Sequence, residues 1–264
     1  MFPELFTFEL PDFLSNIFGQ YITIYSYATC IVLGMLIAGG FTKWRTKKEL
    51  GVKNLSNTFF YLIFIAGFIG GKLFFYLQSP TYYINKPSLL LDNFSGGFVF
   101  YGSFVVIIPF IIRYLKKHKI PTLPMLDILA FTTTIIHAIG RFGCFLAGCC
   151  YGKKTDSVFG VIFPSTHDVK VHPTQLYEVF VLLTITASLF LIRRKKQFDG
   201  QIFLTYLMLY AFGRSVLELL RGDHRGFILE NRVSHSQFIA FCLIAISGYL
   251  YYKLYTKTKS IKTI

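Results

Sequence analysis

Residues 140–152 read GRFGCFLAGCCYG, and this stretch decides where a long apolar helix ends. It follows a mostly apolar segment, and its glycines allow close helix packing before the chain breaks at Gly148. One arginine and three cysteines share the same thirteen positions. The stretch therefore combines a helix end with a candidate chemical site.

The composition around it indicates an all-α polytopic membrane protein. Of the 264 residues, 53% are hydrophobic and 15% are charged, whereas about 25% are charged in soluble domains. The 30 Phe and 17 Tyr residues suit lipid-facing surfaces and interfacial aromatic belts. The net charge of +14 comes from short basic clusters between apolar runs, which does not favour a nucleic-acid partner.

Apolar runs of about 20 residues predict roughly seven transmembrane helices. They cover residues 20–41, 56–77, 97–115, 124–145, 174–192, 201–220 and 235–254. Most of the 27 Lys and Arg residues fall in alternate connections, so the positive-inside rule places the N-terminus outside and the C-terminus in the cytoplasm. We expect a single integral membrane domain over residues 1–264, with a small extracytoplasmic head at about 146–173.

Ionisable side chains inside spans are costly and mark candidate sites. In the fourth span, Asp127, His137 and Arg141 follow one polar stripe, with His137 one turn from Arg141. Asp127 lies near the cytoplasmic end of this span and is expected to start the helix or support packing. A histidine of this kind is more often a hydrogen-bonded core residue than a catalyst, so both interpretations of His137 stay open.

A second polar face is predicted in the sixth span. Arg214, Glu218 and Arg221 follow i, i+4, i+7 spacing. Glu218 could form a purely structural ion pair with either arginine. Guanidinium groups in separate spans, however, match phosphate oxygens bidentately and keep their charge where water is scarce. A pocket holding Arg141 and Arg214 would suit a phospholipid headgroup in the outer leaflet.

The cysteines of the opening stretch allow several interpretations. Cys144, Cys149 and Cys150 have C-x4-C-C spacing, unlike the C-x2-C pairs of common zinc sites, so no metal site is expected. A disulfide from Cys144 to one of the other two, a covalent nucleophile, and small residues that close-pack the helix end remain open.

Several motifs in order along the chain resemble the bacterial prolipoprotein diacylglyceryl transferases. The family signature G-R-x-G-N-F-x-N-x-E-x-x-G matches at Gly140, Arg141, Gly143, Phe145 and Gly152. Further similar segments are IYSYATCIVLG at 24–34, GGFVFYG at 96–102, HPTQLYE at 172–178 and RSVLELLR at 214–221.

The chain departs from the family pattern at four polar positions. Tyr101 stands where the family has a histidine, and Cys144, Ala147 and Cys149 stand where the signature has Asn, Asn and Glu.

The resemblance implies a transferase of lipoprotein biosynthesis in the bacterial cytoplasmic (inner) membrane, as a multi-pass protein. Its reaction would move the diacylglyceryl group of phosphatidylglycerol to the lipobox cysteine thiol of a prolipoprotein, releasing glycerol phosphate. The partners would be phosphatidylglycerol, the lipoprotein-precursor signal peptide and the membrane, with no cofactor. The alternatives are a related transferase with another acceptor, or a non-enzymatic phospholipid-binding or transport protein on the same scaffold.

The chemistry of this reaction predicts roles for individual residues. Arg141 and Arg214 would stabilise the departing phosphate, and His137 would accept the thiol proton, with Tyr101 as second choice. The expected substrate-binding residues are Glu218, Arg221, His172, Gln175, Tyr25, Gly97 and Gly102.

Overall fold

A computed structural model describes residues 2–11, 20–77, 79–92, 100–222, 227–228 and 233–262. Its helices are α1 (Ser26–Leu50), α2 (Asn57–Leu77), α3 (Pro80–Asn85), α4 (Leu89–Asp92), α5 (Phe100–Lys117), α6 (Thr122–Leu146), α7 (Thr174–Arg193), α8 (Gln201–Glu218) and α9 (His235–Lys262). Its strands are β1 (Glu4–Glu9), β2 (Tyr21–Tyr25), β3 (Val161–Ile162), β4 (Lys170–Val171), β5 (Phe227–Ile228) and β6 (Val233–Ser234). The described chain is thus mostly helical, with three two-stranded sheets.

Five of the described helical segments are long and apolar enough to cross a membrane. They are Ser26–Leu50, Asn57–Leu77, Thr122–Leu146, Thr174–Arg193 and Gln237–Ser260. Helix α5 carries three cations in its last turns, and α8 carries Gln, Arg and Glu side chains, so neither joins this group. Large apolar side chains lie exposed on several spans, such as Leu36 at 67% and Phe241 at 71%. This pattern is typical of a surface that faces lipid.

The start of the first predicted span is wrong. Residues 21–25 form β2, which pairs antiparallel with β1, and the helix begins at Ser26. The sequence YITIY is rich in β-branched and aromatic residues, which favour a strand. At its other end the helix continues through the basic cluster to Leu50, where Arg45 contacts Glu49 at 2.9 Å. The described chain is nevertheless mostly helical, which agrees with the all-α class predicted from the sequence.

The described chain divides into two compact units, residues 1–42 with 126–264, and residues 43–125. In the second unit, α2 packs closely against α5. A methyl group added to Gly102 would lie 2.4 Å from Phe74 Cβ and 2.6 Å from the carbonyl oxygen of Gly70. Ser103 Oγ donates a hydrogen bond to the Gly67 carbonyl at 2.7 Å. Small residues let these two helices approach, as is common within membranes.

In the first unit, α6, α7 and α8 share an apolar core. Its buried members are Ala130, Phe131, Ile185, Leu189, Ile202 and Tyr206. Helix α1 packs on α6 where a methyl group on Gly143 would lie 2.8 Å from Cys30 Cβ. Gly143 of the signature segment is therefore used for close helix contact.

Asp127 fastens α6 to the start of α8. Its carboxylate accepts hydrogen bonds from the backbone N–H groups of Gly200 and Phe203, both at 2.9 Å, and contacts Lys196 Nζ at 2.9 Å. An anion at these groups satisfies the otherwise unpaired donors of a helix N-terminus. Asp127 thus supports packing, while His137 and Arg141 on α6 contact α7.

Candidate active site

A buried carboxylate, Glu178 on α7, lies at the centre of the polar residues in the first unit. Its Oε1 lies 3.3 Å from His137 Nε2, and its Oε2 lies 3.0 Å from Arg141 Nε. The Tyr210 hydroxyl donates a hydrogen bond to Oε1 at 3.3 Å. His137 and Arg141 reach the same carboxylate because i, i+4 residues share one helix face. Glu178 therefore joins α6, α7 and α8 inside the bundle.

A second ion pair lies on α8. Arg214 Nη2 and Glu218 Oε2 are 2.7 Å apart, one helical turn from each other. Arg214 is buried, and among the described residues its Nη1 has no hydrogen-bond partner. A buried donor without an acceptor is costly in a folded protein. Arg214 also interacts electrostatically with Glu178, so the two ion pairs are neighbours.

The charges of this cluster favour an anion. Arg141, Arg214 and Arg221 supply three positive charges, and Glu178 and Glu218 supply two negative charges. Counting His137 as neutral, one positive charge remains uncompensated within the set. A phosphodiester monoanion has the charge to balance it and the oxygens to accept from guanidinium groups.

Arg221 lies beyond the end of α8, which corrects its predicted place on the helix face. The helix ends at Glu218, and Arg221 forms an isolated antiparallel bridge with Gly152. The neighbouring Lys153 N–H donates to the Leu220 carbonyl at 2.9 Å. A methyl group on Gly152 would lie 2.4 Å from that same carbonyl oxygen, so the strand pairing requires glycine here. The bridge holds the polar connection 147–173 against the end of α8.

Two further predicted substrate-binding residues lie at the start of α7. His172 Nδ1 is 3.3 Å from the Tyr177 hydroxyl. Gln175 is buried, and its Nε2 donates a hydrogen bond to the Cys149 carbonyl at 2.6 Å, while its Oε1 has no hydrogen-bond partner among the described residues. Gln175 thus holds the cysteine segment in place.

The three cysteines converge at the end of α6. Cys144 lies in the last turn, and positive φ angles at Gly148 (70°) and Cys150 (66°) turn the chain back. The three Sγ atoms lie within 4.8 Å of one another, and all three cysteines are free thiols. Hydrogen bonds from the other two thiols, helped by Arg141 and Arg221, lower the pKa of Cys150.

The remaining predicted residues are Tyr25, Tyr101, Gly102 and Gly97. Tyr25 is exposed in β2. Tyr101 and Gly102 belong to α5 in the second unit, where Gly102 packs against α2 and the Tyr101 side chain lies outside the described part of the chain. Gly97 also lies outside the described residues.

Sequence reasoning missed Glu178 and Tyr210 as site residues. Glu178 lies inside the HPTQLYE segment at the start of an apolar helix, and an acid in a membrane span is itself a signal. Tyr210 stands one turn before Arg214 on α8, so the i, i+4 rule could have placed it on the same face.

Comparisons with known proteins find relatives along most of the chain. The family model for prolipoprotein diacylglyceryl transferase matches residues 14–253. The chain is 34% identical over 242 residues to a phosphatidylglycerol–prolipoprotein diacylglyceryl transferase of Clostridium tetani, covering 90% of the chain and 95% of that protein. It is 33% identical over 246 residues to phosphatidylglycerol–prolipoprotein diacylglyceryl transferase 2 of Clostridium perfringens, covering 91% of the chain and 94% of the relative. The chain belongs to the prolipoprotein diacylglyceryl transferase family.

Proposed function

We propose that this protein transfers the diacylglyceryl group of phosphatidylglycerol to the cysteine thiol of a prolipoprotein and releases glycerol phosphate. Its relatives carry the name of this activity. The observation in the structure that supports the proposal best is the buried Nη1 of Arg214, which has no acceptor among the described residues and belongs to a side chain that interacts electrostatically with Glu178. A phosphate oxygen is the acceptor that such a group suits.

The reaction is a substitution at the glycerol carbon that bears the phosphate ester. Arg141 and Arg214 would hold phosphate oxygens and stabilise the charge that grows on the leaving group. Glu178 and Glu218 would fix the orientation of these guanidinium groups through their contacts of 3.0 and 2.7 Å. Each arginine has further N–H groups that could donate hydrogen bonds to the lipid phosphate.

The acceptor thiol must also lose its proton, because a free thiol has a pKa of about 8.5. The chain offers two routes. His137, with Tyr101 as second candidate, could act as a general base; a proton held on Nε2 by Glu178 would make Nδ1 the accepting nitrogen. The cysteine cluster at the end of α6 offers the other route.

The proposal includes a topology and binding roles. Seven crossings would place the N-terminus outside and the C-terminus in the cytoplasm of a bacterial inner membrane, with 146–173 as an extracytoplasmic head on a single integral domain. Arg221 and His172 would enlarge the positively charged entrance of the site. The signal peptide of the precursor would approach from the side of this entrance. The other binding candidates are Gln175, Tyr25, Gly97 and Gly102. Protease access to tags on the two termini in intact spheroplasts tests the orientation.

A reconstituted transfer assay tests the function. Purified protein in liposomes that contain phosphatidylglycerol is mixed with a lipobox peptide, and the mass of the peptide is measured. We expect a mass gain of one diacylglyceryl group, lost in Arg141→Ala and Arg214→Ala. An unmodified peptide in the presence of folded parental protein would refute the proposal.

A further inference from the structure

The convergence of three thiols at the end of α6 is unexplained by the phosphate-binding residues. Cys144, Cys149 and Cys150 belong to a turn whose backbone is held from several sides. The Cys149 N–H donates to the Cys144 carbonyl at 3.1 Å, and the Thr174 hydroxyl donates to the Cys150 carbonyl at 3.0 Å. With Gln175 on the Cys149 carbonyl at 2.6 Å, the backbone is fixed while the thiols point together.

The spacing of the sulfur atoms fits a thiophilic ion. Zinc binds thiolate sulfur at about 2.3 Å, so two sulfurs on one tetrahedral zinc ion are about 3.8 Å apart. The three Sγ atoms already lie within 4.8 Å of one another. Cys149 and Cys150 are exposed, so rotation of their side chains can close the remaining distance without moving the backbone.

The arginines near the three cysteines also suit the charge of a zinc–thiolate complex. Three thiolates and Zn²⁺ carry a net charge of about −1, and a fourth thiolate makes it more negative. Arg141 and Arg221 both act electrostatically on Cys150. Three protein ligands with an open fourth position are the pattern of a catalytic zinc site, whereas structural sites have four.

We propose that Cys144, Cys149 and Cys150 bind one zinc ion, and that the acceptor cysteine of the substrate occupies its fourth position. The inference rests on the proposed diacylglyceryl transfer. Coordination ionises the acceptor thiol, and its proton leaves to the water that reaches Cys149 and Cys150. A lone pair of the bound sulfur then forms the S–C bond with the glycerol carbon. The C–O bond to phosphate breaks, and its electron pair leaves with glycerol phosphate.

Metal binding is tested on the purified full chain without reference to activity. Zinc-loaded, desalted protein is analysed for metal content, and a cobalt-substituted sample is examined by absorption spectroscopy. We expect about one zinc ion per chain and thiolate-to-cobalt charge-transfer bands in the parental protein and in Cys242→Ser, the matched control. Cys149→Ser and Cys150→Ser should lose both signals while keeping the parental melting temperature and gel-filtration profile.

The substrate position is tested with two peptides. A lipobox peptide should change the cobalt d–d bands, and its Cys→Ser analogue should not. In the transfer assay, zinc chelation and Cys149→Ser should each lower the rate at least about tenfold, and zinc should restore only the chelated sample.

Several results would overturn the inference. One is equal metal content in Cys149→Ser and parental protein. Another is a disulfide within the three cysteines in active protein. A third is a transfer rate that neither chelation nor Cys149→Ser lowers while His137→Ala abolishes transfer. These results leave the transferase proposal standing. Zinc binding with a peptide-dependent cobalt spectrum but no transfer would instead refute the proposed function and support the metal site.

Discussion

Replacing Glu178 by Gln tests the idea that a buried carboxylate holds Arg141 in position for phosphate. The side chain is 3% exposed and contacts Arg141 at 3.0 Å and His137 at 3.3 Å. The Glu178→Gln variant keeps the volume and one acceptor oxygen but removes the charge. A hydrogen bond to a charged group contributes about 1.5–3 kcal/mol, so we expect a loss of about 3 kcal/mol in the interactions of the two partners.

The loss should appear mainly in catalysis. If most of it is expressed in the transition state, kcat/KM falls about 100-fold, since about 1.4 kcal/mol corresponds to tenfold. The assay is transfer from labelled phosphatidylglycerol to a lipobox peptide at several peptide concentrations. Melting in detergent, measured in parallel, should show a smaller loss of stability because Arg141 is 19% exposed and can gain water contacts.

A matched ion pair serves as the control. Arg45 and Glu49 on α1 are 2.9 Å apart, and in this pair the arginine rather than the carboxylate is the buried partner. Glu49→Gln removes the same charge from a pair that has no part in the proposed chemistry, so transfer should stay at the parental rate. Parental kcat/KM in folded Glu178→Gln would refute the argument that Glu178 positions Arg141.

Three further substitutions test other parts of the account. Arg214→Lys keeps the charge but loses the planar fork, so transfer should fall by at least about tenfold with little change in melting temperature, and parental kcat/KM would contradict a bidentate phosphate contact. Asp127→Asn removes the anion from the start of α8 and should lower the free energy of unfolding by about 1–2 kcal/mol in denaturant titrations at pH 7. Burial lowers the pKa of Lys196, but its bonds to Asp199 and Asp127 raise that pKa above its usual value. The stabilisation that the Lys196–Asp127 contact contributes is therefore complete below about pH 10 and is lost as the pH rises through the raised pKa. Equal stability of Asp127→Asn and parental protein at pH 7 would contradict this role. Gly102→Ala should destabilise the α2–α5 contact by about 1–3 kcal/mol, whereas Gly40→Ala, with no atom within 4 Å of the added carbon, should be neutral or slightly stabilising; equal melting temperatures would contradict the close approach.

Helix positions could be predicted where apolar runs are bounded by polar residues. The predicted spans 56–77 and 174–192 agree within one residue with Asn57–Leu77 and Thr174–Arg193, because Asn57 and Pro173 lie where the hydrophobic runs begin. The first span could not be placed in this way. Its strand residues are as apolar as a helix, and Arg45, paired with Glu49, lets the helix continue past its apolar part.

The sequence predicted the polar side chains of α6 and α8, but not the contacts that join them to Glu178. Arg141 and Arg214 attract notice because arginine is rare in membrane spans, but the partner of Arg141 lies on another helix, 37 positions along the chain. That distance is set by the packing of α6 against α7, which no local pattern records. The convergence of the cysteines likewise depends on positive φ angles at Gly148 and Cys150. Glycine permits such an angle, but nothing in the sequence predicts it at Cys150.

The most direct test of the central claim is the stoichiometry of the reaction. Phosphatidylglycerol labelled in its headgroup is incubated with purified protein and a lipobox peptide, and released glycerol phosphate is counted against lipidated peptide. We expect equal amounts of the two products from the parental protein. Neither product should form with the Cys→Ser peptide or with the Arg214→Ala variant. Lipidated peptide without glycerol phosphate, or no release by folded parental protein, would contradict the claim.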